Sequence, residues 1–211
     1  MTIRLTSWGH ACVRLERDGH VLVLDPGSYS DLDHALDGAQ AVLITHEHAD
    51  HVDPARVAAA GLPVWGPAPV VTLLADAGVP SGRLHEVRAG DVLSAAGFEV
   101  HVLGERHAVI HPDVPVIANV GYLVDGILHP GDAFLTTDGS PVDVLLEPIG
   151  APWLKGSEMV DHVRAVHPSR VVPIHDALLS DLGKRSAAGL IERLGGVGAP
   201  LVLATGESLD V

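Results

Sequence analysis

Apolar and polar positions alternate along the first 25 residues, with Ile3 and Leu5, Val13 and Leu15, then Val21 and Val23 each set two apart. That period belongs to half-buried strands, and Asp18-Gly19 between the second and third runs supplies the left-handed pair of a tight hairpin. Residues 41–45 break the alternation with Ala-Val-Leu-Ile before Thr45. A short run of this kind predicts a strand covered on both faces. Asp53-Pro54 then opens a helix that runs to Ala60, with the aspartate as cap, proline in the first turn and Gly61 just past the end. A second helix is predicted over residues 69–77.

Strand signals return over residues 83–128, where Phe98-Glu99-Val100-His101-Val102 alternates and Asp125-Gly126 marks another hairpin before Ile127-Leu128. Beyond it the pattern predicts a buried strand over 142–146, a helix over 157–166 opened by Ser157 and Glu158, a strand over 170–174 and a helix over 181–194. Strands lead and helices trail in each half. The fold class expected from this order is mixed α/β, two sheets packed face to face with helices outside. No repeat, low-complexity stretch or charged linker interrupts it, so one domain is expected over residues 1–211.

Composition narrows the function classes. Apolar residues make up 47% of the chain, enough for one sizeable core, and the formal net charge is −14. That sign disfavours nucleic acid and anionic membrane surfaces as partners. The mean hydropathy of +0.29 raises the question of a membrane span, and residues 57–75 do lack charge. Gly61, Pro63, Gly66, Pro67 and Pro69 interrupt that run, however, so a helix, a short strand and a second helix are expected there instead. Cys12 is the single cysteine and can form no internal disulfide. The N-terminal residues lack a basic segment followed by an apolar run, and the expected location is cytoplasmic. Fourteen histidines turn attention to metal ligation.

The informative stretch is Thr45-His46-Glu47-His48-Ala49-Asp50-His51, placed where the buried strand gives out before a helix. Residues two apart share a side in an extended segment, so His46 and His48 can grip one metal ion together. As the chain turns, the adjacent Asp50 and His51 can reach a second ion.

This H-x-H-x-D-H pattern behind an apolar strand resembles the metallo-β-lactamase superfamily of metal-dependent hydrolases. The likeness extends across nearly the whole chain: Leu24-Asp25-Pro26-Gly27 is similar to the family's early aspartate motif, Gly131-Asp132 to its bridging aspartate and Pro173-Ile174-His175 to its last histidine motif, in the family's order. The resemblance implies a four-layer αββα sandwich and two divalent metal ions, zinc first, with manganese or iron as alternatives. His46, His48 and His107 would hold one ion, Asp50, His51 and His175 the other, and Asp132 would bridge them. Asp50 would be the catalytic residue, orienting a hydroxide and receiving its proton. The implied reaction is hydrolysis of an ester, lactone, phosphoester or amide bond, and a net positive site suits a small, anionic substrate.

Some positions stay open. His111 lies four residues after His107 and is either a substrate contact or a solvated loop residue; His107, nearer the strand end, is taken as the ligand. Trp153 could wall a substrate pocket or simply pack. Asp25 is expected to fix the loop or support a ligand, and His10 to make a structural hydrogen bond or a contact behind a ligand. Cys12 lies away from every motif, where antibiotic-hydrolysing relatives often use a cysteine ligand. A glutamate stands at the His48 position of the family's diiron flavoproteins, and nuclease members carry an added domain or basic exosite. The Gly-His-Ala-Cys-Val opening is similar to compact bacterial hydrolases of the ascorbate-6-phosphate lactonase group. Two competing readings remain: iron-dependent oxidation of the sulfur dioxygenase kind, and a non-catalytic metal-binding protein.

Overall fold

A computed structural model describes residues 2–211. The first sheet holds β1 (Arg4–Ser7), β2 (Val13–Arg17), β3 (His20–Leu24), β4 (Ala41–Leu43), β5 (Val64–Gly66) and β6 (Leu84–Glu86). The second holds β7 (Val92–Ala95), β8 (Phe98–Leu103), β9 (Gly121–Val124), β10 (Ile127–His129), β11 (Val144–Pro148) and β12 (Arg170–Ile174). The C-terminal β13 (Ser208–Asp210) returns to the first sheet beside β1. Each sheet starts with antiparallel hairpins and finishes in parallel strands, β3 to β6 in one and β10 to β12 in the other. Both predicted hairpins form on Asp-Gly pairs with positive φ at both residues, +51° and +79° at Asp18-Gly19 and +45° and +87° at Asp125-Gly126. This is the turn whose twist matches that of the strands.

The inner faces meet in one core, Leu5, Leu15, Leu22 and Leu43 from the first sheet against Phe98, Val100, Tyr122 and Leu146 from the second. Helices α1 (Leu32–Ala35), α2 (Pro54–Ala60) and α3 (Ala68–Asp76) cover the outer face of the first sheet, with Val57, Val70 and Leu74 packed on Val42, Ile44 and Val64. Helices α4 (Gly156–Val166) and α5 (Asp181–Leu194) cover the second, placing Met159, Val163 and Ile191 on Leu145 and Val171. The expected four layers of helix, sheet, sheet and helix are present. Residues 57–75 fold as the end of α2, β5 and most of α3, and among the described residues no helix is long and apolar enough to cross a membrane.

Boundaries depart from expectation in several places, the strand expected over 41–45 ending at Leu43 and the helix expected over 69–77 running Ala68–Asp76. The strand expected over 142–146 sits at Val144–Pro148, because its parallel register with β12 runs from Val144↔Arg170 to Pro148↔Ile174. Helix α4 begins at Gly156 behind Lys155, and no side chain caps it. The short α1 and β13 carry too few periodic residues to announce themselves; β13 exists because β1 needs a partner some 200 residues away, Leu5 opposite Leu209.

Strand ends bring the candidate ligands together. The chain leaves β3, β4, β8, β10 and β12 at one rim of the sandwich, and the segments just beyond carry Asp25, His46 to His51, His107, Asp132 and His175. Tyr122 braces this rim from within the core: its hydroxyl donates to the carbonyl of Ile44 at 2.9 Å, one residue before Thr45. Tyr122→Phe keeps the ring and removes the donor. Urea unfolding should show a loss of about 1–2 kcal/mol with an unchanged denaturant slope.

Candidate metal centre

Two groups of metal-ligating side chains converge at this rim, His46, His48, His107 and Asp132 in one and His10, Asp50, His51 and His175 in the other, the donor atoms of each lying within 4.8 Å of one another. Asp132 stands between the groups. Its Oδ2 is 3.4 Å from His107 Nε2, and its Oδ1 is 3.1 Å from His51 Nε2 and 3.3 Å from His175 Nε2. Asp50 Oδ2 lies 3.3 Å from His175 Nε2, and His46 Nε2 faces His48 Nδ1 at 3.1 Å. Ligands at about 2.0–2.2 Å in a tetrahedron stand about 3.3–3.6 Å apart, so these spacings fit a shared ion.

Hydrogen bonding decides which ring nitrogen each histidine presents. His51 Nδ1 donates to Asp25 at 2.7 Å, His107 Nδ1 to the Ala108 carbonyl at 2.6 Å and His175 Nδ1 to the Gly150 carbonyl at 2.8 Å. Each therefore turns its Nε2 inward. Those three Nε2 atoms, with Asp132 Oδ1, are buried and have no hydrogen-bond partner. Four buried atoms converging on one place need positive charge to balance them, protons or a metal ion, and holding the second nitrogen on a protein acceptor is how metal-ligating histidines are fixed. In His46, Nδ1 faces Thr45 Oγ1 at 3.0 Å, and that hydroxyl donates to Asp25 at 2.7 Å, so Nε2 is again the atom turned inward, where it meets His48 Nδ1 at 3.1 Å. The same test separates His129, whose Nε2 donates to the Ala11 carbonyl at 2.9 Å and whose Nδ1 accepts from Gly131 N at 3.2 Å. It has no lone pair left for a metal.

Backbone conformation is special here too: His10, Asp25 and His175 have φ of +51°, +47° and +56°. Left-handed residues outside glycine are uncommon, and such conformations gather at functional sites. Gly27 meets a different demand, since a Cβ there would lie 1.8 Å from the Asp50 carbonyl oxygen. Only glycine lets the loop after β3 lie against the ligand loop.

Most residues singled out in the sequence meet at this rim. His46, His48, Asp50, His51, His107, Asp132 and His175 all take part in the two groups. His111 is not among them; its side chain is exposed and its Nδ1 accepts from Asp113 N at 3.1 Å. Trp153 is buried, and its Nε1 donates to Asp132 Oδ2 at 2.8 Å, so the indole orients a carboxylate rather than standing free at the mouth. Sequence reasoning missed Thr45 as the link between His46 and Asp25. A hydroxyl residue immediately before the first histidine was the available signal.

Electrostatics divides the two groups. Burial opposes charge on His51, yet Asp132 and Asp25 outweigh it and push its pKa up to about 10. His175 behaves alike, burial being overcome by Asp132 and Asp50 to give about 9. His46 and His48 go the other way, lowered by burial and by neighbouring imidazoles. Burial resists ionisation of Asp50 and Asp132, but their histidine partners hold both below the usual carboxylate range.

At pH 7 the metal-free protein thus carries protons on His51 and His175 and bare nitrogens on His46 and His48. A metal entering the second group must displace about two protons. Its affinity should rise with pH up to 9–10, while the contribution of His46 and His48 stays flat above neutrality. Calorimetric zinc titration in buffers of differing ionisation enthalpy checks this; a second equivalent that binds without proton release contradicts it.

The comparisons agree with the geometry. Residues 4–175 match the β-lactamase superfamily domain, Lactamase_B_3. Protein Rv0786c of Mycobacterium tuberculosis is 42% identical over 84% of this chain and 86% of its own length. The "UPF0173 metal-dependent hydrolase" of Pyrobaculum arsenaticum is 30% identical over 80% of this chain and 81% of its own. Among solved structures, Igni18, a metallo hydrolase from Ignicoccus hospitalis, superposes with a TM-score of 0.75 over 100% of this chain and 99% of that one at 21% identity, which shows a shared fold. Domain match, relatives, sheet order and converging His/Asp groups together establish that the chain belongs to the metallo-β-lactamase superfamily.

Proposed function

We propose that the protein is a metal-dependent hydrolase with two divalent ions, zinc in the first instance, acting on a small molecule that carries an ester, lactone, phosphoester or amide bond. The observation that carries this is the set of four buried, partnerless atoms, His51 Nε2, His107 Nε2, His175 Nε2 and Asp132 Oδ1, aimed at one small volume. His46, His48 and His107 would hold one ion, Asp50, His51 and His175 the other, with one oxygen of Asp132 toward each. Five imidazoles and two carboxylates suit zinc, and also iron or manganese. When bound, such a pair supplies Lewis acidity and a nucleophile drawn from water near neutral pH.

The chain's own residues do the rest. Asp50 stays ionised, one oxygen held by His10 and the other free of protein hydrogen bonds, so it can orient a water and accept its proton. Its side chain is 22% exposed, and His48 is half-buried, which leaves the rim open to substrate on that side. Val109, Ile110 and Leu178, on the segments that follow His107 and His175, are exposed. Exposed apolar side chains on these segments favour a small molecule over nucleic acid.

Elemental analysis of protein prepared without chelators should give about two zinc ions per chain. Asp132→Ala should give about one, and lower turnover on a panel of lactones and phosphoesters by on the order of 100-fold. A single iron per chain, or full activity in the Asp132→Ala variant, overturns the proposal.

A further inference from the structure

His10 sits close enough to the second group to be taken for one of its ligands. It comes from the loop between β1 and β2, far in sequence from every other member. Its ring makes two bonds. Nδ1 accepts the backbone N–H of Ala177 at 3.3 Å, so the ring hydrogen is on Nε2, which donates to Asp50 Oδ2 at 3.0 Å. Both nitrogens are thereby committed, and neither keeps a lone pair for an ion. The residue's own carbonyl accepts the backbone N–H of His175 at 2.9 Å. The ring is buried, its centroid 4.0 Å from that of His175 and 5.3 Å from that of Tyr29.

One residue thus ties three segments that the chain brings together from distant places: the first hairpin, the turn carrying Asp50 and the loop carrying His175. Its left-handed backbone, φ +51°, is what allows carbonyl and ring to face the same neighbour at once. Asp50 Oδ2 is the oxygen that also faces His175 Nε2 at 3.3 Å. The His10 N–H therefore selects which oxygen Asp50 turns toward the second ion, and the carbonyl holds the next ligand at the matching depth. No hydrogen bond of His10 reaches His46 or His48.

We propose that His10 is the positioning residue of the second metal site, orienting Asp50 and His175 without binding the ion, so that its loss weakens that site and spares the first. This rests on the two-ion reading of the site. Outer partners of metal ligands are commonly worth about 10–100-fold in affinity.

Two variants of the metal-free full-length chain, titrated with zinc chloride against a competing chelator, test it. His10→Phe keeps the ring and removes both hydrogen-bonding atoms; His10→Gln keeps an N–H donor at similar reach. Positioning predicts that His10→Phe weakens the second equivalent by about 10–100-fold, leaves the first unchanged, and that His10→Gln recovers most of the loss. A residue that is itself a ligand would lose the second equivalent in both variants, and a merely structural one would shift the melting temperature in both while leaving the two affinities in place. Either result overturns the inference. If His10→Phe does not fold, His10→Leu, which also lacks both hydrogen-bonding atoms, takes its place beside His10→Gln, and the same comparison decides. Fewer than two equivalents in the wild-type chain is instead a failure of the two-ion reading.

Discussion

Asp25 has no exposed surface, yet it is surrounded by donors: Thr45 N to Oδ1 at 2.7 Å, and Thr45 Oγ1 and His51 Nδ1 to Oδ2, both at 2.7 Å. A carboxylate taken out of water is tolerable only with such compensation. The ends of β3 and β4 are pinned together by it, and through it one histidine of each metal group acquires its orientation. His51 donates to it directly, and His46 reaches it through the Thr45 hydroxyl. Both rings then present Nε2 to the rim. The positive φ of Asp25 and the missing side chain of Gly27 are the local conditions under which this carboxylate fits beneath the ligand loop.

The same hub accounts for the electrical asymmetry. Asp25, Asp50 and Asp132 all crowd the second group, so His51 and His175 hold protons that His46 and His48, neighboured by other imidazoles, give up. Protons and metal ions are alternative ways to balance the same buried carboxylates.

How much of this was legible depended on sequence distance. His46, His48, Asp50 and His51 lie within six positions, and the strand before them is marked by its apolar run, so spacing and scaffold could be inferred together. The Asp-Gly hairpins and the Asp53–Pro54 helix start were equally local. Asp132 and His175 could be placed by motif order, but their supports could not: Trp153 on Asp132, Gly150 on His175 and His10 on Asp50 join residues 21, 25 and 40 positions apart. No periodicity encodes such pairs. Ladders that depend on a distant partner, β13 on β1 most of all, were invisible for the same reason.

Histidine count alone would have misled. His129 and His162 are as buried as the ligand histidines, and His162 even sits on a buried carboxylate, Glu147, at 2.7 Å. Its Nε2 also lies 2.8 Å from the Leu135 carbonyl, which can only accept. A ring with both nitrogens engaged is a strut: His162 fastens α4 and β11 to the segment beyond Asp132. A ring with one nitrogen engaged and the other buried and turned onto the facing members of its group is placed to take a metal ion. That difference of one lone pair is set by carbonyls and hydroxyls the sequence brings from elsewhere. In this chain it separates His51, His107 and His175 from His10, His129 and His162, residues that composition and burial leave indistinguishable.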